Sequence, residues 1–193
     1  MRCLATISGL IVLVVAGCGS PASRYYTLSG ATAPGAAASD LSVAVGPVSV
    51  PAAVDRPQIV VTTGPNQVWL DEFNRWASPL QSNIARAVAE NLVALLGTPR
   101  VTLSSQTVSA AADYRAAIEV QRFESALGEA AMLDAVWTVR RTKDGTSQTG
   151  RTTVREPASE TGYDALAAAH SRAVARLSRD IADAVQALDR AGQ

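Results

Sequence analysis

Cys18 closes the run Val15-Ala16-Gly17-Cys18, just after an apolar stretch near the start of the chain. Small residues before a cysteine suit a signal peptidase. The thiol is then alkylated by a lipid, and the cysteine becomes the mature N-terminus. The flanks agree with that chemistry. Arg2 supplies a positive region, residues 10–15 an apolar region, and Ala16-Gly17 the small cleavage residues. A retained membrane-spanning anchor is the alternative. Residues 7–16 provide only about half of the roughly 20 apolar residues it requires. The expected organisation is a cleaved signal over residues 1–17, a lipidated tether over 18–23, and one domain over 24–190. The lipid would hold that domain at a membrane surface outside the cytoplasm.

Other reactive groupings are scarce. Cys3 leaves with the signal, so the mature domain has neither a free thiol nor a disulfide. One histidine, His170, falls on the border of an apolar helical stripe, with no second His or Cys to share a metal. The serines, including Ser104-Ser105, lie outside any G-x-S-x-G elbow, and there is no G-x-x-x-x-G-K-[ST] run. The reading is therefore no catalytic residue, no metal and no cofactor. Seventeen basic and 17 acidic residues leave no net charge, and no basic patch argues for nucleic acid.

Two constellations suit contact with a partner. Asp55-Arg56-Pro57-Gln58 is a charged turn between apolar runs, and Phe73-Asn74-Arg75-Trp76-Ala77-Ser78-Pro79-Leu80 leads into a helix. Arg and Trp are typical interface anchors, which makes Asp55, Arg56, Arg75 and Trp76 the candidate partner-binding residues. The structural alternatives are a local Asp55–Arg56 pair shaping its loop, and Trp76 packing on the first helical turns like a hydrophobic staple. Trp69 and Trp137 fall on strand patterns and read as core or half-core.

The elements that position these residues follow from periodicity. Residues 24–28 read as a first strand, only five residues after Cys18, a reach of at most about 18 Å. Residues 29–39 are a small-residue loop. Residues 41–50 alternate apolar and small, with Gly46-Pro47 breaking or bulging the strand. Residues 58–62 and 67–70 flank the turn Gly64-Pro65-Asn66. Ser78-Pro79 opens a helix, with serine as cap, that ends at Gly97. A meander follows: residues 101–103, then a strand from Tyr114 with a bulge near Gln121, then residues 131–139. The turn Lys143-Asp144-Gly145 leads to a polar edge strand over 146–154. A last helix over 162–188 carries a long apolar stripe, with Arg176/Asp180 and Arg179/Asp183 as i, i+4 pairs. The fold class is α+β, a mainly antiparallel sheet with two amphipathic helices packed on it.

Several stretches together resemble the PqiC-type auxiliary lipoproteins of ABC-type, mammalian-cell-entry (MCE) transport systems. They are the lipid box at Cys18, Arg24-Tyr25-Tyr26-Thr27-Leu28, Val45-Gly46-Pro47-Val48 and Asp55-Arg56-Pro57-Gln58-Ile59-Val60. Arg75-Trp76-Ala77-Ser78-Pro79-Leu80, Ala89-Glu90-Asn91-Leu92, Gly162-Tyr163-Asp164-Ala165-Leu166 and Ser178-Arg179-Asp180-Ile181-Ala182 complete the set. The resemblance implies a non-enzymatic lipoprotein facing the periplasm from the outer membrane. Its partner would be an MCE-domain protein forming a tube across the periplasm, with a homo-oligomeric ring of lipoproteins docking the tube's far end. Gly19 after the cysteine fits an outer-membrane address. A lipid carrier with an internal apolar cavity is the alternative, and an envelope hydrolase built on His170 a third class.

Overall fold

The structure, a computed structural model, describes residues 21–32, 39–104, 111–158 and 160–192. The signal segment and Cys18 lie outside the described residues. The elements in chain order are β1 (Arg24–Tyr26), β2 (Val43–Ser49), β3 (Gln58–Gly64), β4 (Gln67–Trp76), α1 (Leu80–Leu96), β5 (Val101–Leu103), β6 (Tyr114–Ala126), β7 (Ala130–Arg141), β8 (Ser147–Pro157) and α2 (Tyr163–Arg190).

The fold is α+β, and its sheets are mixed. One has the order β1-β4-β3, the other β5-β2-β6-β7-β8. The long pairings β3–β4, β6–β7 and β7–β8 are antiparallel hairpins. The short β1–β4, β2–β5 and β2–β6 pairings are parallel. Alternation along one strand says nothing about the direction of its neighbour, so the parallel pairings were not visible in the sequence. β3 packs beside β6 where β2 has ended, and both helices pack on the strands.

Local rules account for most boundaries. Gly46 has φ +115°, and the β2–β6 register shifts between Val45 and Val48, so the expected irregularity is present. Gln121 has no partner in the β6–β7 ladder. That extra residue changes the pleat phase and turns Phe123 into the core at 3% exposure. Gly97 ends α1 in the left-handed region, as expected. Ser78 makes no cap, contrary to expectation. The cap position is Pro79, with no side-chain hydrogen bond. Of the two expected pairs on α2, Arg176–Asp180 forms at 3.3 Å. Arg179–Asp183 is absent among the ion pairs of the described residues.

β8 is the expected polar edge. Opposite Trp137 on β7 stands Gly150 on β8. A Cβ at Gly150 would lie 2.3 Å from Trp137 Cζ2, so the indole lies across β8 only because the glycine leaves room. Its Nε1–H donates to Thr152 Oγ1 (3.0 Å), and Thr152 donates to Asp180 on α2 (2.6 Å). Gly150→Val is expected to destabilise the domain by about 2–3 kcal/mol through overpacking, read from urea unfolding. Trp137→Leu in the same chain should recover part of that loss, and no recovery would remove the steric explanation.

The helices meet over small and amide residues. Asn91 Nδ2 donates to Ser178 Oγ at 3.2 Å, and Ala173, Ala175, Ala182 and Ala184 of α2 are buried. The alanine-rich composition thus becomes close helix packing. The segment after β1 is strapped across these helices by side-chain acceptors. Leu28 N–H donates to Asn83 Oδ1 (3.0 Å) and Ser29 N–H to Ser171 Oγ (3.2 Å). Gly30 N–H donates to Glu90 Oε2 (3.1 Å) and Ala31 N–H to Asn91 Oδ1 (3.0 Å). Four successive backbone donors are satisfied without regular structure.

Candidate functional site

The two sequence constellations meet in space because β3 and β4 are neighbours. Pro57 precedes β3 and Trp76 ends β4, and Trp76 N–H donates to Pro57 O at 2.7 Å. Ala77 N–H donates to Tyr26 O at 2.8 Å, which ties the same corner to β1. The result is a cleft of about 380 Å³ lined by Asp55, Arg56, Pro57, Trp76, Ala77, Ser78 and Pro79. Three of the four candidate partner-binding residues, Asp55, Arg56 and Trp76, line it.

Each takes a different role. Trp76 is 5% exposed and forms the wall that continues into the core. Its ring meets Phe123 and His170 edge-on at 6.0 and 6.1 Å. Its aromatic partners lie on β6 and α2, and Leu80 of the first turn of α1 belongs to the same buried core. Asp55 accepts from Gln81 Nε2 at 3.1 Å, and no Asp55–Arg56 ion pair is present among the described residues, which corrects the expected local pair. The loop is instead shaped by backbone bonds: Val54 and Asp55 N–H to Pro51 O, and Arg56 N–H to Val54 O. Arg56 Nε is buried without a hydrogen-bond partner. Arg75 does not join the cleft. Its Nε donates to Glu72 O (2.8 Å) and its Nη2 to Glu72 Oε2 (3.0 Å).

The bulge that sets Asn74, Arg75 and Trp76 in register depends on Asp71. Its Oδ1 accepts from the N–H groups of Phe73 and Asn74 (2.8 and 2.9 Å), and its Oδ2 from Tyr163 Oη (2.7 Å). Burial pushes the Asp71 carboxyl up, but the bonds from Tyr163, Phe73 and Asn74 outweigh it, and the group sits below its ordinary value. Burial and the neighbouring Asp71 raise the Tyr163 phenol.

Behind Trp76 lies a pair that the sequence did not suggest. Ser125 Oγ is 2.8 Å from His170 Nε2. His170 stacks on Phe123 with ring centroids 3.9 Å apart and planes 8° apart. His170 is fully buried rather than on a polar border, and Ser125 is 2% exposed. Burial lowers the imidazole to about 3, so it is neutral at any ordinary pH. Its Nδ1 has no partner. A substrate cannot reach a serine and histidine enclosed by the core, so this pair packs and hydrogen-bonds rather than reacts. Among the described residues no group of His, Cys, Asp and Glu could hold a metal ion.

Two further expectations meet the structure here. Trp137 is buried at 6%, but Trp69 is 62% exposed near the β3–β4 turn. Trp69, expected as core or half-core from its place on a strand, is exposed because the hairpin extends past the core. The space between sheet and helices, where a carrier would hold cargo, contains Leu133, Leu166, Leu177 and Ile181, all fully buried. A separate cleft of about 460 Å³ runs between the hairpin and β6, past Val54, Val60, Val68 and Phe123.

The fold has solved relatives. A crystal structure of an uncharacterised protein superposes with a TM-score of 0.70 at 21% identity, covering 86% of this chain and 99% of the other. A Xanthomonas campestris protein of the DUF330 family gives 0.68 at 22% identity, with coverage of 86% and 99%. These likenesses establish the architecture. No curated protein matches the sequence. The model of one family, described as the ABC-type transport auxiliary lipoprotein component, matches residues 26–182. That span runs from β1 through most of α2 and includes every residue of the cleft. The chain belongs to the family of ABC-type transport auxiliary lipoprotein components.

Proposed function

We propose that this auxiliary lipoprotein is a docking subunit. Cys18 carries the lipid that holds it on the periplasmic side of the outer membrane. The cleft between the Asp55–Arg56 turn and Trp76 receives its partner, an MCE-domain protein of the transport system. The observation that carries this reading is the cleft itself, which sets the apolar wall of Trp76, Pro57 and Pro79 beside the charged turn Asp55–Arg56. A carbonyl or carboxylate of a partner segment would pair with the Arg56 guanidinium, while Trp76, Pro57 and Pro79 bury the apolar part. Docking needs no chemistry beyond that, and a ring of copies around a symmetric tube would repeat the contact.

A photo-crosslinking residue at Ser78 in intact cells tests the proposal. The expected product is an adduct with the MCE-domain protein, while the same probe at Thr149 on β8 gives none. Arg56→Ala should weaken the association about tenfold or more, in line with loss of a charge-assisted hydrogen bond. Its unfolding midpoint should hold or rise, because an unsatisfied donor has been removed. Adducts from Thr149 but not Ser78 would place the interface on the other side of the domain and overturn the reading.

A further inference from the structure

The β3–β4 hairpin has features that docking through the Arg56 cleft leaves unused. No residue from Pro57 to Leu70 carries a charge. Near its turn, Val68 is 58% and Trp69 62% exposed. An uncharged hairpin tip that presents Trp and Val to solvent has little to lose on entering the polar–apolar boundary of a bilayer. Tryptophan in particular favours that boundary.

Strand direction gives the position of the hairpin relative to the anchor. β1 pairs with β4 in parallel, with Arg24 opposite Asn74 and Tyr26 opposite Trp76. Going back from Arg24 towards the N-terminus therefore runs the same way as going back along β4 towards the turn. Six residues before Asn74 is Val68, and six before Arg24 is Cys18. At about 3.3 Å per residue, the tether covers at most about 20 Å. The β4 span is shorter, because three bulged residues separate Asp71, opposite Ile59, from Arg75, opposite Gln58. Counted on β3, from Thr62 opposite Val68 to Gln58 opposite Arg75, it is about 13 Å. Cys18 can therefore lie at most about 10 Å beyond the hairpin tip, so a bilayer that holds its lipid lies at or close above Val68 and Trp69.

We infer that the tip of the β3–β4 hairpin is a membrane-contact element, with Trp69 seated in the interface of the leaflet that holds the Cys18 lipid. The inference rests on the lipid-anchor reading of Cys18. The occupant is a lipid surface, because the tether ends close by and residues 57–70, which form the tip, have no charged group to desolvate. Trp76 and Trp137 are 5% and 6% exposed, so Trp69 reports on its surroundings almost alone.

The full lipidated chain is to be reconstituted on vesicles of phosphatidylethanolamine and phosphatidylglycerol containing bromine-labelled acyl chains. Quenching should remove about a third of the tryptophan emission, one indole of three. Trp69→Phe should abolish that component and leave the protein bound. Intact-mass measurement of the same sample reads the anchor independently. If the mass includes the lipid and Trp69 remains unquenched by bromine while accessible to iodide in the water, the inference fails and the anchor reading stands. A mass lacking the lipid overturns the anchor reading and, with it, this placement. Shielding of Trp69 that appears only when a partner protein is added also overturns it and marks the tip as a protein surface.

Discussion

Trp76→Ala is expected to lower the unfolding free energy by about 3–5 kcal/mol, the range for deleting a buried indole. Domains of this kind have only about 5–15 kcal/mol in total, so urea unfolding should show a large fall in midpoint with an unchanged slope. The loss has identifiable parts. Phe123 and His170 lose their edge-on partner, and the space left beside them is enclosed by β6 and α2. The cleft loses its inner wall as well, so binding should fail even where the variant remains folded. Trp76→Phe keeps a ring in place and should recover most of the stability. A loss below about 1 kcal/mol for Trp76→Ala would show that the indole is peripheral to the core.

The second large effect is acid sensitivity between pH 6.5 and 3. An imidazole in the unfolded chain takes up a proton below about pH 6.5. In the folded chain, burial delays that uptake at His170 to about pH 3. The unfolded state therefore binds more protons throughout this window, and stability falls as pH falls. It is fully present above pH 6.5 and lost progressively towards pH 3. One such group gives a slope of about 1.4 kcal/mol per pH unit, and at most about 5 kcal/mol over the whole window. Ser125, Phe123 and Trp76 surround the ring, and desolvation is the whole cause of its shift. Comparing urea unfolding at pH 7.5 and 5.0 should show a loss of about 2 kcal/mol for the natural chain. His170→Gln should show almost none, whatever its absolute stability. Equal losses in both would assign the acid sensitivity to the carboxylates. Asp71, Asp134 and Asp144 all sit below their ordinary values and act in the same direction at lower pH.

What could be read from the residues has a physical pattern. Signals carried by one residue and its immediate neighbours survived folding: the end of α1 at Gly97, the bulge at Gln121, the glycine turn before β8. Signals that depend on which element lies opposite did not. The parallel β1–β4 pairing is invisible along either strand, yet it brings Tyr26, the end of β1, beside the cleft. Trp69 obeys the alternation of a buried position on a hairpin that runs beyond the core. Asn91 was part of an apolar helical stripe, and Asn83 escaped notice. Their polarity is the trace of the loop they hold, since a buried amide persists where backbone groups need a partner. The cleft was half legible. Its residues stood out as candidates for partner contact and three of them line one cleft, but Asp55 and Arg56 do not pair with one another, and Arg56 Nε is left without a hydrogen-bond partner.

The strap over residues 28–31 has a mechanical consequence. If the domain docks as proposed, whatever pulls on it would be resisted by the lipid, and the load would enter the fold at Arg24. β1 lies parallel to β4, so that load runs along the strand and strains its hydrogen bonds in shear, all at once, rather than unzipping them one by one. The four amides beyond it are fastened to two different helices, which spreads the remaining tension across both. A three-residue strand is a weak pairing at rest. Loaded lengthwise and backed by that strap, it would carry the tension of the proposed docking from the tether into both helices.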